Sequence, residues 1–147
     1  MRKQSLLKEI RILNRVDHPN IIKLHEAIDT SKYVYLSTEY VAGPSLLKYL
    51  KSKPNRMMEE EEVKRIWKQL MQAISYLHSK NITHRDVKLE NILMTEDLES
   101  IKLIDFGFST CTIPSKKLKI YCGTPSYMAP QIVQRKEYLG PPTDIWA

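Results

Sequence analysis

The residues best suited to chemistry are concentrated in a polar loop, residues 84–91, between two apolar runs. The loop begins with a His-Arg-Asp sequence that ends at Asp86, and Lys88 and Asn91 follow. Carboxylate and amide oxygens are hard ligands of the kind that Mg²⁺ prefers, and a carboxylate can accept a proton from a hydroxyl group. Taken alone, however, the His-Arg-Asp sequence is explained equally well as a turn with a surface ion pair.

Two further short sequences follow the polar loop. Asp105-Phe106-Gly107 ends the next apolar run, and the sequence Gly-Thr-Pro-Ser-Tyr-Met-Ala-Pro begins at Gly123. Asp105 alone could be a polar strand end. The ordered set of three sequences, however, resembles the protein kinase family, in which Asn stands five residues after the Asp of His-Arg-Asp. The chain is therefore similar to a protein kinase domain.

Two residues direct this resemblance to the Ser/Thr branch of the family. That branch carries Lys two residues after the catalytic Asp and Thr in the Gly-Thr-Pro segment, and here these positions are Lys88 and Thr124. The run that begins at Tyr127 is most similar to the calcium/calmodulin-dependent and AMP-activated branches. The resemblance implies transfer of the ATP γ-phosphate to Ser or Thr hydroxyls of protein substrates, with ATP and Mg²⁺ as cofactors.

The resemblance also implies which residues are catalytic. Asp86 would orient the substrate hydroxyl and accept its proton, and Lys88 would contact the transferred phosphate. Asn91 and Asp105 would be the metal ligands, so Asp105 would also hold the nucleotide through Mg²⁺. Thr124 completes the catalytic set.

A second group of residues matches the nucleotide site of the family. Glu9 matches the helix Glu that pairs with the ATP-holding lysine, although by itself it is an ordinary exposed helix residue. Backbone groups of Glu39 and Val41 would bind adenine, Thr38 would guard the pocket behind it, and Leu93 would lie under the base.

Further matches concern the core around the site. Leu13, Leu24, His84 and Phe106 match an apolar stack that links the two lobes, and ordinary core packing is the same physical role. Asp144 matches a residue that braces the catalytic loop from below.

Hydrophobic periodicity and turn residues predict the elements that must position these side chains. Helices are predicted at 5–16, 46–53 and 59–79, with shorter ones at 129–134 and from 143. Strands are predicted at 21–28 and 33–40, as a hairpin, and at 82–83, 91–94 and 101–104. A long loop is predicted at 107–128, and Gly140-Pro141-Pro142 is predicted to break the chain.

The predicted fold class is α+β, as a partial protein-kinase-like fold. It comprises a small-lobe helix and two strands plus the helical large lobe up to the start of its central helix. Residues 1–40 would be the remnant of the small lobe and the hinge, and residues 41–147 the first half of the large lobe with the catalytic and activation loops. The chain has no Gly-x-Gly-x-x-Gly and no Val-Ala-Ile-Lys sequence. The resemblance therefore implies a fragment without the glycine-rich loop, the lysine strand and the C-terminal helices.

One departure from the family concerns regulation. Ile120 stands where the activating phosphosite usually lies, four residues before Thr124. Arg85 would normally receive that phosphate. We therefore expect that activation does not need phosphorylation at this position. Other hydroxyl groups remain in the long loop, at Thr110, Thr112, Ser115 and Tyr121.

Composition restricts the partners. The chain carries 23 Lys and Arg against 17 Asp and Glu, a formal charge of +6. The basic residues are scattered apart from a cluster at Lys116, Lys117 and Lys119, and no nucleic-acid recognition motif accompanies them. Two cysteines make no disulfide framework, and no apolar run reaches the ~20 residues that span a bilayer. We expect a cytoplasmic or nuclear protein with protein substrates and with neither nucleic acid nor membrane as partner; the sequence names no regulatory partner.

Two other readings of the sequence stay open. The chain could be a catalytically inactive kinase-like module that binds or regulates, because the glycine-rich sequence is absent. A non-kinase α+β interaction domain with accidental motifs ranks far below both.

Overall fold

The computed structural model describes the backbone of residues 2–147 and the side chains from Ser5 onward. The helices of this part are Arg2–Leu13 (α1), Leu46–Ser52 (α2), Glu60–Ser79 (α3), Pro130–Val133 (α4) and Gly140–Trp146 (α5). The strands are Leu24–Asp29 (β1), Val34–Thr38 (β2), Ile82–Thr83 (β3), Ile92–Met94 (β4), Ile101–Leu103 (β5) and Thr110–Cys111 (β6). The predicted α+β class is confirmed. Over residues 2–147, no helix combines the length and hydropathy needed to cross a bilayer.

The strands form small antiparallel pairs. The predicted hairpin is present as β1 paired with β2, and β4 pairs with β5. The third pair joins β3 to β6, with Thr83 opposite Thr110. The prediction of an unbroken loop at 107–128 is therefore wrong in part, since it contains β6 and a single helical turn at Pro125–Tyr127. Both depend on tertiary contacts and leave no period in the sequence.

One core joins α1, α3 and the β4–β5 pair. Ile12, Leu77, Leu103 and Phe106 lie fully buried in it. Each buried side chain of this size stabilises the fold by about 1.5–3 kcal/mol. Seven apolar residues of α3 repeat at three- and four-residue spacing: Val63, Ile66, Trp67, Leu70, Met71, Ile74 and Leu77. They are buried or partly buried, with the exception of Val63 and Trp67, which are 41% and 55% exposed.

The C-terminal helix begins earlier than predicted. Gly140-Pro141-Pro142 does not break the chain but forms the first turn of α5. Proline is tolerated there because the first N–H groups of a helix have no intrahelical partner. Gly140 is buried, and a Cβ at this position would overlap with the Thr83 hydroxyl.

The segment before α2 crosses β4 at close range. The Met94 N–H donates to the Pro44 carbonyl at 2.8 Å, and a Cβ on Gly43 would overlap with the Met94 carbonyl. Ser45 then caps α2, because its hydroxyl accepts from the Lys48 N–H at 3.2 Å.

Candidate active site

A single buried carboxylate holds the polar loop from below. The Asp144 side chain is fully buried. Its oxygens accept from the backbone N–H of His84 at 2.9 Å and from that of Arg85 at 2.7 Å. His78, at the end of α3, lies 2.9 Å from the same carboxylate. Three elements, α3, α5 and the polar loop, are therefore fixed to one another, and the contact from Asp144 lies where the sequence predicted it.

His84 is a buried residue of the polar loop, and both of its ring nitrogens form hydrogen bonds. The Asp86 N–H donates to its Nδ1 at 3.2 Å, so Nε2 carries the proton and donates to the Ile104 carbonyl at 3.1 Å. Its ring packs edge-on against Phe106 with the ring centroids 4.9 Å apart. This is the contact predicted for the stack. Burial lowers the pKa of His84, although the charge of Asp144 opposes the shift.

We expect acidification to destabilise the protein through this residue. Below the ordinary histidine pKa of about 6.5, the unfolded chain binds a proton that folded His84 does not, so the free energy of unfolding falls as pH falls. The slope from one such group is at most about 1.4 kcal/mol per pH unit. Urea unfolding between neutral and mildly acidic pH measures it.

Two variants separate this effect from others. His84→Gln should flatten the pH dependence, whereas His25→Gln, exposed on β1, should preserve it. Part of the slope should survive in His84→Gln because burial also lowers the pKa of His18. An unchanged slope in His84→Gln would contradict the assignment.

Asp86 is the centre of a network that brings together four of the five predicted catalytic residues. The Thr124 hydroxyl donates to Asp86 Oδ1 at 2.7 Å, and Lys88 Nζ lies 2.8 Å from Oδ2. The Asn91 amide donates to Oδ2 at 3.0 Å and to the Asp86 carbonyl at 2.9 Å. Lys88 also donates to the Thr124 hydroxyl at 2.9 Å. Because the Asn91 amide nitrogen points at Asp86, its oxygen points away and is left for another ligand.

The network keeps the Asp86 carboxylate ionised. Burial alone would raise the pKa of Asp86, but the hydrogen bonds from Lys88, Thr124 and Asn91 and the charge of Lys88 hold it below its usual value. The hydrogen bond with Asp86 in turn raises the pKa of Lys88, and the charge of Asp105 adds to that shift. At neutral pH the site therefore presents an anionic acceptor beside a cation.

Asp105, the fifth predicted catalytic residue, faces a second acid. Its backbone φ is 63°, a left-handed value that is uncommon outside glycine and often marks functional sites. Burial raises the pKa of Glu9, and the negative charge of Asp105 raises it further. Among the side chains from Ser5 onward, neither acid forms an ion pair with Lys or Arg. A cation placed between them would relieve this repulsion.

A cavity of about 340 Å³ lies beside these acids. All six residues predicted for the nucleotide site line it: Glu9, Thr38, Glu39, Val41, Leu93 and Asp105. The remaining lining is mainly apolar and includes Leu13 and Ile104. The volume lies within the range of about 300–1,000 Å³ that is usual for small-molecule sites.

Contacts of Glu39 fix one wall of the cavity. Its N–H donates to the Lys23 carbonyl at 2.9 Å. Its carboxylate accepts from the Lys23 N–H and from Lys102 Nζ, both at 2.8 Å. In the described chain, no backbone hydrogen bond engages the Glu39 carbonyl or the Val41 N–H. These are the groups with which a planar heterocycle could pair.

Sequence reasoning missed two contributors to the site. His78 contacts Asp144, as described above. Tyr138 donates from its hydroxyl to the Ile120 carbonyl at 2.7 Å, and that hydroxyl lies 3.5 Å from Arg85 Nη1. Arg85 also donates to the Phe108 carbonyl at 2.7 Å. No motif surrounds His78 or Tyr138. Each is far along the chain from the residue that it contacts, so the sequence gives no sign of the contact.

Comparison with known proteins agrees with this geometry. The protein kinase domain family matches residues 1–147. Two similar proteins are the probable serine/threonine-protein kinases MARK-C and MARK-A of Dictyostelium discoideum. The first is 40% identical over 99% of this chain and 19% of its own length, and the second is 39% identical over 95% and 13%. The chain thus spans about a fifth or less of the length of these relatives.

Proposed function

Since the chain belongs to the protein kinase domain family, we propose that it forms the site at which a serine/threonine protein kinase transfers the γ-phosphate of ATP to protein hydroxyl groups. One observation carries the proposal. The network around Asp86 and the cavity that contains Asp105 are neighbours, because the N–H of Ile104, which lines the cavity, donates to the Asn91 carbonyl at 2.9 Å while the Asn91 side chain contacts Asp86. Residues from separate parts of the chain thus meet at one place.

The donor set fits a nucleotide with Mg²⁺. Glu39 and Val41 would bind the base, Leu93 would lie against it, and Thr38 would close the back of the cavity. Asp105 and the free oxygen of Asn91 would hold Mg²⁺, which prefers few protein oxygens together with phosphate oxygens. The bound ATP would supply the phosphoryl group. As part of the same proposal, residues 1–40 form the small lobe and hinge and residues 41–147 belong to the large lobe.

The chain's own residues would position the acceptor. Asp86, held ionised by its neighbours, accepts a hydrogen bond from the substrate hydroxyl and directs its oxygen to the phosphate. Lys88 neutralises charge on that phosphate. Thr124, which belongs to the long loop, fixes the Asp86 carboxylate. The carboxylate is therefore oriented only when this part of the loop lies against it. Substrates are therefore proteins that present Ser or Thr.

Nucleotide binding tests the cavity. Thr38→Phe should lower the affinity for a fluorescent ATP analogue at least about tenfold, because the larger ring fills the space behind the base. Ser37→Phe is the matched control, since neighbouring residues of a strand point to opposite faces and Ser37 does not line the cavity. Titration of the full-length protein with Mg²⁺ present measures both.

The outcomes separate the proposed function from the inactive module. Binding that Thr38→Phe alone reduces, with phosphoserine or phosphothreonine formed on protein substrates, supports the kinase. No binding above background would contradict the proposal and favour a module without catalysis. Phosphotyrosine as the main product would contradict the substrate class.

A further inference from the structure

Most of the net positive charge of the chain lies in one segment. Residues 107–143 contain five basic side chains and one acidic side chain, Glu137. We call the five the basic surface: Lys116, Lys117, Lys119, Arg135 and Lys136. All five are exposed to solvent. A single-sign surface of this kind attracts anionic partners.

The fold brings two halves of the basic surface together. Leu118 and Tyr138 form an isolated antiparallel bridge, with N–H to carbonyl distances of 2.7 and 3.2 Å in the two directions. The bridge is antiparallel and paired chains lie about 4.8 Å apart, so residues 119–120 are beside residues 136–137, and residues 116–117 are beside residues 139–140. Lys119 is therefore close to Lys136, and Lys116 and Lys117 continue the basic surface on the other side of the bridge.

Most of these charges have no anionic partner in the chain. Lys119 pairs with Glu137 at 3.0 Å. Within the side chains that the structure describes, no ion pair includes the other four basic residues. Ile113 and Ile120, in the same segment, are 63% and 66% exposed. Exposed apolar groups among unpaired cations suit an acidic polypeptide better than a phosphate backbone alone.

The basic surface also lies close to the proposed reaction site. Thr124 contacts Asp86 and stands five residues after Lys119. An extended chain spans at most about 3.3–3.6 Å per residue, so Lys119 is within about 18 Å of Thr124. A substrate peptide with its hydroxyl at Asp86 would reach this surface within about six residues of that hydroxyl.

We propose that the basic surface selects protein substrates that carry acidic residues within about six positions of the phosphorylated Ser or Thr. This proposal rests on the kinase function proposed above. It names the substrate class, which the nucleotide cavity and the Asp86 network leave open.

Paired peptides test the proposal. Each contains one Ser, with Glu or Gln at the second to sixth positions on its N-terminal or its C-terminal side. The full-length protein should phosphorylate one of the Glu peptides with a kcat/KM about tenfold above that of its Gln partner, since several exposed charges act together. The preference should shrink as salt rises, because the Debye length is only about 10 Å at 0.1 M.

Substitutions locate the preference. The quadruple change Lys116→Gln, Lys117→Gln, Arg135→Gln and Lys136→Gln should bring the Glu-to-Gln ratio of kcat/KM close to one. The matched control changes Lys48, Lys51, Arg56 and Lys68 to Gln; these residues are also exposed and form no ion pair in the described structure. The control should keep the wild-type ratio. Equal turnover of Glu and Gln peptides by the wild type, or equal loss in both variants, overturns the proposal.

A binding measurement keeps this test separate from the test of kinase function. If neither peptide is phosphorylated, the kinase function fails, and fluorescence anisotropy of labelled Glu peptides decides the rest. Binding that the quadruple variant loses supports the basic surface as an acidic-peptide site, and absence of binding overturns it. A short single-stranded DNA or a phosphatidylserine vesicle that binds the same four residues more tightly than the peptide also overturns it.

Discussion

Replacing Asp86 by Asn should lower the kcat of the full-length protein by about 10²–10⁴-fold, the usual contribution of a positioned acid or base. The amide keeps the shape of the side chain but loses the negative charge and one of the two acceptor oxygens. It cannot accept from Thr124, Lys88 and Asn91 at once, so the substrate hydroxyl loses its acceptor and the loop its anchor. The measurement is turnover of a Ser peptide under saturating ATP.

The low pKa of Asp86 affects how the kinetics of this variant are interpreted. A carboxylate held below its usual pKa is a weak base, which suits a reaction that depends more on alignment than on early proton removal. Nucleotide affinity should stay unchanged while kcat falls, because Asp86 does not line the cavity. Asp97→Asn is the control, because it makes the same chemical change at an exposed aspartate in the turn between β4 and β5. Turnover close to the wild-type value in Asp86→Asn would exclude the proposed role.

Replacing Asp144 by Ala should lower the free energy of unfolding by about 3 kcal/mol or more, because each buried donor left without a partner costs about 1–3 kcal/mol. The change removes the acceptor of the His84 and Arg85 N–H groups and the partner of His78. Asp144→Asn should lose less, because its carbonyl can still accept one hydrogen bond. Urea unfolding at neutral pH measures both.

The control for Asp144 again uses Asp97. Its carboxylate accepts from the Thr95 hydroxyl and the Glu99 N–H but lies at the surface. Asp97→Ala should therefore cost less than Asp144→Ala, because donors at the surface that lose this carboxylate can bond to water instead. If Asp144→Ala were no more destabilised than Asp97→Ala, the polar loop would not depend on the buried carboxylate.

The candidate site was predictable from the sequence to the extent that local motifs describe it. Asp86, Lys88 and Asn91 are close in the chain, and a loop that brings them together needs few other constraints. The order of motifs then indicated that Thr124 and Asp105 come to the same place. The structure agrees on the positions of all these residues, whereas their roles in catalysis stay predictions.

Elements that depend on tertiary contacts were less predictable. Strand β6 consists of two residues, too few for an alternating pattern, and it exists because β3 offers a partner. The start of α5 was misplaced because Pro141 and Pro142 usually end a helix, although the same residues suit its first turn. Helix α3 was predicted almost to the residue, since seven apolar positions repeat along it. Contacts such as that between Tyr138 and Arg85 have no local signature in the sequence.

The close crossing at Gly43 has a consequence for the shape of the cavity. Val41 and Leu93, on its wall, belong to two segments that touch through main-chain atoms, at Pro44 and Met94. Main-chain spacing is not adjusted by exchanging side chains. The spacing of these two segments is therefore set by the backbone, and variation at lining positions can alter the chemistry of the cavity while this part of its wall keeps its place.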